Sequence, residues 1–297
     1  RVEDIAEWRG SCAPDAAAAA PPEPSVEPLP TKARRRKRTV AKVLLLNCFG
    51  IRERPPQLGS TDQLPALCFA PHDESPASAS AVERLVEARR SIFPKDYTGE
   101  EVPGGIVCEL LSAARWAPTH GKTEPWRFVV FSGEARHRLI DATLGYYADR
   151  PADFWRQAWG GEFPGFEAFE AHVERQRREK WLRCSHLIGI CMKRQTPEAG
   201  KRQFPEREEV AAVACAVQNL HLLAASMRLG AYWSSWFEHF THSGEGVRFH
   251  GLRPERGDRW LGVFCVGVCA PSKLDAYRSS RRPVEEIASW RRSRARA

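Results

Sequence analysis

Several motifs that mark common enzyme sites are missing from this sequence. It contains neither GxGxxG, the glycine pattern of a dinucleotide-binding strand–helix turn, nor GxxxxGK[ST], the phosphate-binding loop of nucleotide hydrolases. The GxSxG turn that presents a serine nucleophile is also absent, and no other arrangement of acid, base and nucleophile stands out. These absences favour a protein whose bound cofactor performs the chemistry, while the polypeptide binds and orients it.

Paired cysteines are missing too. The nine cysteines include no CxxC pair and their number is odd. Most of them stand in apolar stretches, where a free thiol packs as a small hydrophobic group. We therefore expect no disulfides and a reducing compartment inside the cell, either the cytoplasm or an organelle.

One group of histidines raises the question of a metal. Glu238, His239 and His242 are close together in the sequence, and His250 follows soon after. The spacing is not the HExxH of a zinc protease, and no cysteine pair completes a zinc site. We expect histidines in a loop and no bound metal.

No apolar run approaches the ~20 residues that cross a bilayer. Residues 40–49 come nearest, but Lys42 and Asn47 interrupt them. With 297 residues, 42% of them hydrophobic, the chain is long enough for one large domain or two smaller ones with a sizeable core. We expect a soluble protein with no membrane partner.

The formal net charge of +8 is concentrated in two segments. Residues 32–38 contain six basic side chains, and residues 278–296 contain seven basic and two acidic ones. The rest of the chain has 32 basic and 35 acidic residues, a net charge of −3. Since a nucleic-acid enzyme spreads basic charge over a folded face, a nucleic-acid partner is not expected for the body of the chain.

The first eighty residues differ from the rest in composition. They begin at Arg1 rather than Met and are rich in Ala and Pro over residues 11–31, a composition that cannot bury enough surface to fold alone. The basic run at 34–38 could be a nuclear-localisation patch, part of a transit segment or a solvated linker. We predict an irregular extension over residues 1–80, a folded domain over 81–292 and a short tail over 293–297.

The stretch from residue 88 to 132 carries the most information. Arg89, Arg90 and Ser91 place two cations beside a hydroxyl, as an anion site requires. The two arginines also suit the negative end of a predicted helix over 81–90, with Leu85 and Val86 inward, so a purely structural role is the alternative.

Further elements follow from periodicity and from turn residues. Residues 104–117 have apolar side chains at helical spacing, and a polar loop at 118–125 leads into a short strand at 126–131. We also predict a helix at 133–147 and a longer one at 205–229. A proline opens the longer helix, three glutamates in its first turns suit the helix dipole, an alanine-rich apolar run follows with His221 as a satisfied polar group, and Gly230 ends it. Strands are predicted at 184–192 and 260–269. In the last strand, Gly262 and Gly267 would let another part of the chain approach closely.

These residues resemble the nitroreductase family of flavoproteins. The similarity lies in the order and spacing of Arg89-Arg90-Ser91, of Ala117-Pro118 at the end of a helix, and of Pro125-Trp126 at the start of a strand. It continues less sharply over residues 82–292. The resemblance implies an α+β fold with a central mixed β-sheet flanked by helices, in a homodimer that exchanges chain ends. It also implies FMN as the cofactor and NADH or NADPH as the reductant.

The resemblance assigns candidate residues to the flavin, and none to a catalytic role of their own. The basic residue of many relatives two positions after the serine is replaced by Phe93, so Lys95 is the substitute candidate. The polar loop would border the flavin ring held by the other subunit, with Lys122 as the cation that stabilises reduced flavin. The backbone of residues 230–236 would lie along the ring, and basic residues after the last strand would meet the phosphate. The full set is Arg89, Arg90, Ser91, Lys95, Pro118, Thr119, His120, Lys122, Tyr232, Trp233, Ser234, Arg281 and Arg282.

The implied activity is NAD(P)H-dependent reduction of a small planar electron-poor acceptor, such as a nitroaromatic compound or a quinone, by a ping-pong mechanism. Aromatic residues concentrated between 148 and 181 would form either a lid over the flavin or ordinary core. A different class of function stays open: a non-catalytic flavin-binding or interaction protein whose basic N-terminal arm binds an acidic partner or nucleic acid.

Overall fold

A computed structural model of the chain describes residues 78–195 and 202–290. The predicted extension over residues 1–80 and the tail over 293–297 therefore lie almost entirely outside the described residues, as do Cys12, Cys48 and Cys68. The described elements, in chain order, are α1 (Ala79–Ala88), α2 (Gly104–Ala114), β1 (Trp126–Ser132), α3 (Ala135–Ala148), α4 (Ala152–Ala158), α5 (Phe166–Glu179), β2 (His186–Met192), α6 (Glu206–Ser226), β3 (Gly230–Ser234), α7 (Glu238–Thr241), α8 (Gly244–Phe249), β4 (Arg259–Gly267), α9 (Pro271–Ala276) and α10 (Val284–Ile287).

The four strands form one sheet in the order β1-β2-β4-β3. Every neighbouring pair is antiparallel, with Trp126 opposite Met192 in the first pair and Gly230 opposite Gly267 in the last. The α+β class is confirmed, but the expected mixed sheet is wrong for the described strands. A mixed sheet requires at least one pair of neighbouring strands that run in the same direction, and the four described strands form only antiparallel pairs.

Helix α6 is the centre of the core. It packs against α2 and against β2 and β3, and its buried residues include Val213, Val217 and Leu220. It is long and apolar enough to cross a membrane by length and composition, although no single apolar run in the sequence indicates this. In this fold, however, its apolar residues are buried against the sheet and α2, as in the core helix of a globular domain.

The ends of two helices differ from the predictions. The sequence predicted that Gly230 ends α6, but α6 stops at Ser226, and Gly230 is the first residue of β3. Arg228 adopts the left-handed conformation after the helix, with φ of 55°. Helix α1 ends at Ala88, so Arg89 and Arg90 follow the helix rather than form its last turn. Val86 is 49% exposed and not inward, since no described element covers that side of α1.

The aromatic residues between 148 and 181 pack around Tyr147. Its ring centroid lies 4.5 Å from that of Phe169 and 5.3 Å from that of Trp159. Phe169, Trp155 and Trp181 are buried, so this part of the cluster is core. His239 lies against Trp159 at its margin.

Two glycines in β4 admit close contacts, as predicted. A Cβ on Gly262 would lie 2.3 Å from the carbonyl oxygen of Ser234, and one on Gly267 would lie 2.4 Å from the ring of Tyr97. Tyr97 is fully buried, and its hydroxyl donates a hydrogen bond to the carbonyl oxygen of Ile92 at 2.9 Å. Gly267 therefore lets the segment that follows α1 pack against β4, while Gly262 lets β4 approach the end of β3 closely.

Candidate functional site

The segment Arg89–Ser91 lies along the outer edge of the sheet. The N–H of Ile92 donates to the carbonyl oxygen of Ala231 in β3, with the nitrogen 2.9 Å from the oxygen. Since β3 is an edge strand, this bond brings the residues that follow Ser91 alongside β3, where the ring of Phe93 lies against that of Tyr232. Two stretches that the sequence predicted as flavin-binding are thereby brought together, although about 140 residues separate them.

A second contact comes from α6. The imidazole Nε2 of His221 lies 3.0 Å from the carbonyl oxygen of Arg90. Burial first, and the charge of Arg89 second, lower the pKa of His221 to about 4. The ring is therefore neutral at pH 7 and donates this hydrogen bond from Nε2. The sequence predicted that His221 is a polar side chain with a hydrogen-bond partner on an otherwise apolar helix. The carbonyl oxygen of Arg90 is that partner.

The arginines at this edge form a cluster without acidic partners among the described residues. Burial first, and the charges of Arg281 and Arg90 second, hold the pKa of Arg89 below its ordinary value. The charge of Arg281 therefore acts on Arg89, although the two are far apart in the sequence. Among the described residues, no acidic side chain forms a salt bridge with Arg89, Arg90 or Arg281. We call these three residues the cation cluster.

Arg90 of the cation cluster has an N–H donor without an acceptor among the described residues. Its Nη1 donates to the carbonyl oxygens of Glu87 and Arg89, but its Nε is buried and has no hydrogen-bond partner within the described part of the chain. A buried donor without a partner is costly, and a guanidinium matches a phosphate group through paired N–H donors. The cation cluster thus has the chemistry of an anion site with a phosphate-like ligand.

The other residues predicted to bind the phosphate do not belong to the cation cluster. Lys95 bonds to Asp96 at 2.9 Å, so a described carboxylate already neutralises its charge. Arg282 is exposed on the same C-terminal segment as Arg281. Phe93 occupies the position that is basic in many relatives, and its ring centroid lies 4.8 Å from that of Tyr232.

The side chains of β3 are largely committed to the protein itself. Trp233 Nε1 donates to the carbonyl oxygen of Leu261 at 3.0 Å. Ser234 is buried, and its hydroxyl accepts a hydrogen bond from the N–H of Trp236. Any ligand along this strand would therefore meet its backbone and the half-buried Tyr232 rather than these two side chains.

The polar loop at 118–125 lies at the opposite edge of the sheet, because it leads into β1. His120 Nδ1 lies 2.7 Å from Glu208 Oε2, at the start of α6, and the His120 ring lies 4.0 Å from that of Phe204. Positions 208 and 221 of α6 are thirteen residues, or about 20 Å, apart at 1.5 Å per residue. Within one copy, then, the loop does not contact the cation cluster.

The loop has an unusual backbone. Lys122 and Glu124 have φ of 54° and 44°, a left-handed conformation that residues other than glycine rarely adopt. The hydroxyls of Thr119 and Thr123 lie 2.8 Å apart, and that of Thr119 also accepts from the N–H of Glu124. These bonds stabilise the conformation, and such strain occurs preferentially at functional sites. Pro118 and Lys122 are exposed at its surface.

The histidines considered for a metal do not form a site. His239 contacts the aromatic cluster, and His250 is buried with its ring centroid 4.2 Å from that of Trp260. His242 and Glu238 are 3.9 Å apart. In the ranges 78–195 and 202–290, no group of three or more potential ligands could hold a metal ion.

Fold and site together define an α+β protein with the cation cluster at one edge of an antiparallel sheet. Comparison with known proteins identifies the family to which this α+β protein belongs. The model of the nitroreductase family matches residues 86–268, well over half of the chain. The chain belongs to the nitroreductase family. The prediction of an enzyme of this family is thereby confirmed, and the predicted cofactors, FMN and NADPH, are the ones named for relatives in the family.

Individual relatives are more distant. YfhC of Bacillus subtilis (strain 168), which carries the name of an NAD(P)H nitroreductase, is 26% identical over 172 residues, or 56% of this chain and 74% of YfhC. The nitroreductase NfnB of Mycolicibacterium smegmatis (strain ATCC 700084 / mc(2)155) is 35% identical over 113 residues, 38% of this chain and 44% of NfnB. The match thus spans less than half of NfnB.

Solved structures share the fold. A nitroreductase-like family protein from Bacillus cereus aligns with a TM-score of 0.56 and 23% identity, over 74% of this chain and 100% of its own. The FMN-dependent nitroreductase NfnB from Mycobacterium smegmatis, solved in complex with NADPH, aligns with a TM-score of 0.51 and 18% identity, over 72% and 99%. At these identities the alignments show the fold alone.

Proposed function

We propose that the protein is an FMN-dependent oxidoreductase that uses NAD(P)H to reduce small planar electron-poor acceptors, such as nitroaromatic compounds or quinones. The observation that carries the proposal is the cation cluster, whose three arginines have no acidic partner among the described residues and one of which has a buried, unpaired Nε. Family membership and the FMN-dependent relative NfnB support FMN as the anion.

The residues present fit the phosphate end of FMN. Arg89, Arg90 and Arg281 would neutralise its charge, and the unpaired Nε of Arg90 would gain an acceptor. Ser91 is exposed beside them and would bond to the phosphate or the ribityl chain. Lys95 would contribute less to phosphate binding than the arginines, because its ammonium group is already paired with Asp96.

The ring end would be completed by a second copy of the chain. The backbone of β3 and Tyr232 would lie along one side of the ring. Thr119, His120 and Lys122 would approach from the partner, because in one copy the loop lies at the opposite edge of the sheet. Lys122 would stabilise the negative charge that the pyrimidine edge gains on reduction.

Exposed apolar side chains at both ends of the described domain support a homodimer. They lie on α1 and on the segment containing α10, where Trp290 is 83% exposed. Such exposure is typical of surfaces that another chain covers. In a dimer with exchanged chain ends, these side chains would be buried by the partner: Val82, Val86, Val284, Ile287 and Trp290.

Bound FMN would supply the redox chemistry between NAD(P)H and an acceptor that occupies the same position afterwards, and such alternate use of one position would give ping-pong kinetics. The polypeptide holds the phosphate and places a cation near the ring. It also limits the acceptor to molecules that stack on a flat surface.

Spectroscopy tests this function. We expect the purified protein to take up one FMN per chain, to show flavin absorbance, and to bleach when NADH or NADPH is added without oxygen. Addition of a quinone should restore the absorbance. A protein that takes up no FMN, and instead binds polyanions with a steep dependence on salt, would support the non-catalytic binding function.

A further inference from the structure

One tyrosine links the two segments that carry the cation cluster. Tyr277 directly follows α9 and precedes the segment with Arg281. Its hydroxyl donates to Asp96 Oδ2 at 2.6 Å and accepts from the main-chain N–H of Phe93 at 3.1 Å. The segment with Phe93 and Asp96 begins immediately after Ser91. A single hydroxyl thus connects the two sides of the site.

The acceptor of this bond is an ionised carboxylate. Asp96 is 10% exposed at its side chain, 2.9 Å from Lys95 Nζ and 3.8 Å from Lys273 Nζ. The hydrogen bond from Tyr277 first, and the two lysines with it, hold the pKa of Asp96 below its ordinary value against the opposing effect of burial. The bond from Tyr277 is therefore charge-assisted and stronger than one between neutral groups.

Arg281 has few other restraints. Its guanidinium bonds only to Ser279 and Ser280 among the described residues, and Arg278 bonds to the carbonyl oxygens of Asp275 and Tyr277. These contacts are local to the segment. Between α9 and residue 290, Tyr277 is the only described residue whose hydrogen bonds reach the rest of the domain.

Repulsion acts on this segment. The charge of Arg281 lowers the pKa of Arg89, so the two like charges act on each other. Without a bound anion they repel each other, and a segment held by nothing else would move away. Some other contact has to keep Arg281 near Arg89.

We infer that Tyr277 is a positioning residue: its hydrogen bond to Asp96 holds Arg281 beside Arg89, so that both guanidinium groups meet the same phosphate. The identity of that phosphate as the one of FMN rests on the proposed function. The positioning itself rests on the two bonds of the hydroxyl and on the local nature of all other contacts.

The first test compares FMN with riboflavin, which lacks the phosphate. Tyr277→Phe removes only the hydroxyl. We expect it to weaken FMN binding about tenfold and to leave riboflavin binding unchanged. Tyr146→Phe is the matched control: this half-buried tyrosine lies under Arg150 and against Tyr147, has no described contact with the cation cluster, and should change neither affinity. Unchanged FMN binding in Tyr277→Phe, or equal losses for FMN and riboflavin, would overturn the inference.

The second test needs no flavin. If Tyr277 restrains the segment, trypsin should cleave after Arg278 and Arg281 several times faster in Tyr277→Phe than in the wild type or in Tyr146→Phe. Equal cleavage rates would overturn the restraint. If the wild type binds no FMN, the proposed function fails, and the cleavage rates alone decide the role of Tyr277.

Discussion

The imidazole Nε2 of His221 lies 3.0 Å from the main-chain carbonyl oxygen of Arg90, and this hydrogen bond joins the core helix α6 to the cation cluster. Because burial keeps the ring neutral at pH 7, His221 donates a hydrogen bond without adding a fourth positive charge. The position of Arg90 is thus fixed from the inside of the fold, while its Nε remains without a partner.

Protonation of His221 should destabilise the protein in acid. Its folded pKa of about 4 lies below the ordinary value of 6.5, so the unfolded chain binds more protons between these values and stability falls as the pH drops through this window. The contribution is on the order of 3 kcal/mol. Urea unfolding at pH 7 and pH 4.5 should therefore show a smaller loss in His221→Gln than in the wild type. Equal losses would contradict this assignment, and His242→Gln, a change at an exposed ring, serves as control.

Two neighbouring glutamates at the start of α6 should behave differently. Glu209 is 1% exposed and bonds to Arg194 Nε at 2.9 Å, whereas the side chain of Glu208 is 35% exposed and bonds to His120. Removing one partner of a buried pair leaves the other charge uncompensated. We expect Glu209→Gln to lower the free energy of unfolding by about 3 kcal/mol and Glu208→Gln by less than about 1 kcal/mol. Denaturant titration measures the free energy of unfolding of each variant. Similar losses in the two variants would contradict the difference in burial between Glu208 and Glu209.

Gly267 should not tolerate a side chain. A Cβ there would lie 2.4 Å from the buried ring of Tyr97, and Gly267→Ala should cost roughly 1–3 kcal/mol. Gly145 on α3 has no atom within 4 Å of its Cβ position. Gly145→Ala should therefore stabilise the protein by up to about 1 kcal/mol, through helix propensity. A melting temperature of Gly267→Ala at or above that of the wild type would argue against the packing of Tyr97.

The cation cluster should account for the phosphate affinity. Hydrogen bonds to charged groups contribute about 1.5–3 kcal/mol, so Arg89→Gln and Arg281→Gln should each raise the Kd for FMN by roughly 10- to 100-fold. The losses should be smaller at high salt. Arg156→Gln, at an exposed position on α4, is the control for a change of one charge. Fluorescence titration measures the affinities, and an effect of Arg156→Gln as large as the others would indicate non-specific attraction.

The sequence predicted most of the elements because their signals are local. Apolar spacing indicated α2, and a proline, three glutamates and an alanine-rich run indicated α6. Short apolar runs indicated β1, β2 and β4. The boundaries were less accurate where the conformation contradicts the usual preference. At the end of α6, Arg228 adopts the left-handed conformation that a glycine was expected to provide.

Parts of the candidate site could not be predicted in this way. Nothing in the sequence around Asp96 or Tyr277 indicates that they are bonded, since their contact depends on how α9 returns to the start of the domain. The pairing of Arg194 with Glu209 has the same origin: the glutamate was expected to interact with the helix dipole, and the fold buries it beside an arginine from the end of β2. The direction of the strands also depends on the whole topology, which is why the mixed sheet was wrong.

Hybrid dimers test most directly the central claim that the cation cluster of one copy and the loop of another form one flavin site. Arg89→Glu reverses a charge in the cluster. Gly121→Val directs a side chain at Phe204, whose ring lies 2.5 Å from the Cβ position, and displaces the loop.

The measurement is the FMN bound by a purified hybrid of these two variants, at a concentration at which neither variant alone binds FMN. If each flavin site is shared between the two copies, one of the two sites in the hybrid combines both changes and the other site contains neither. We therefore predict about one tightly bound FMN per hybrid dimer. A hybrid that binds no more FMN than its parents would contradict the account, because each site would then be built within a single copy.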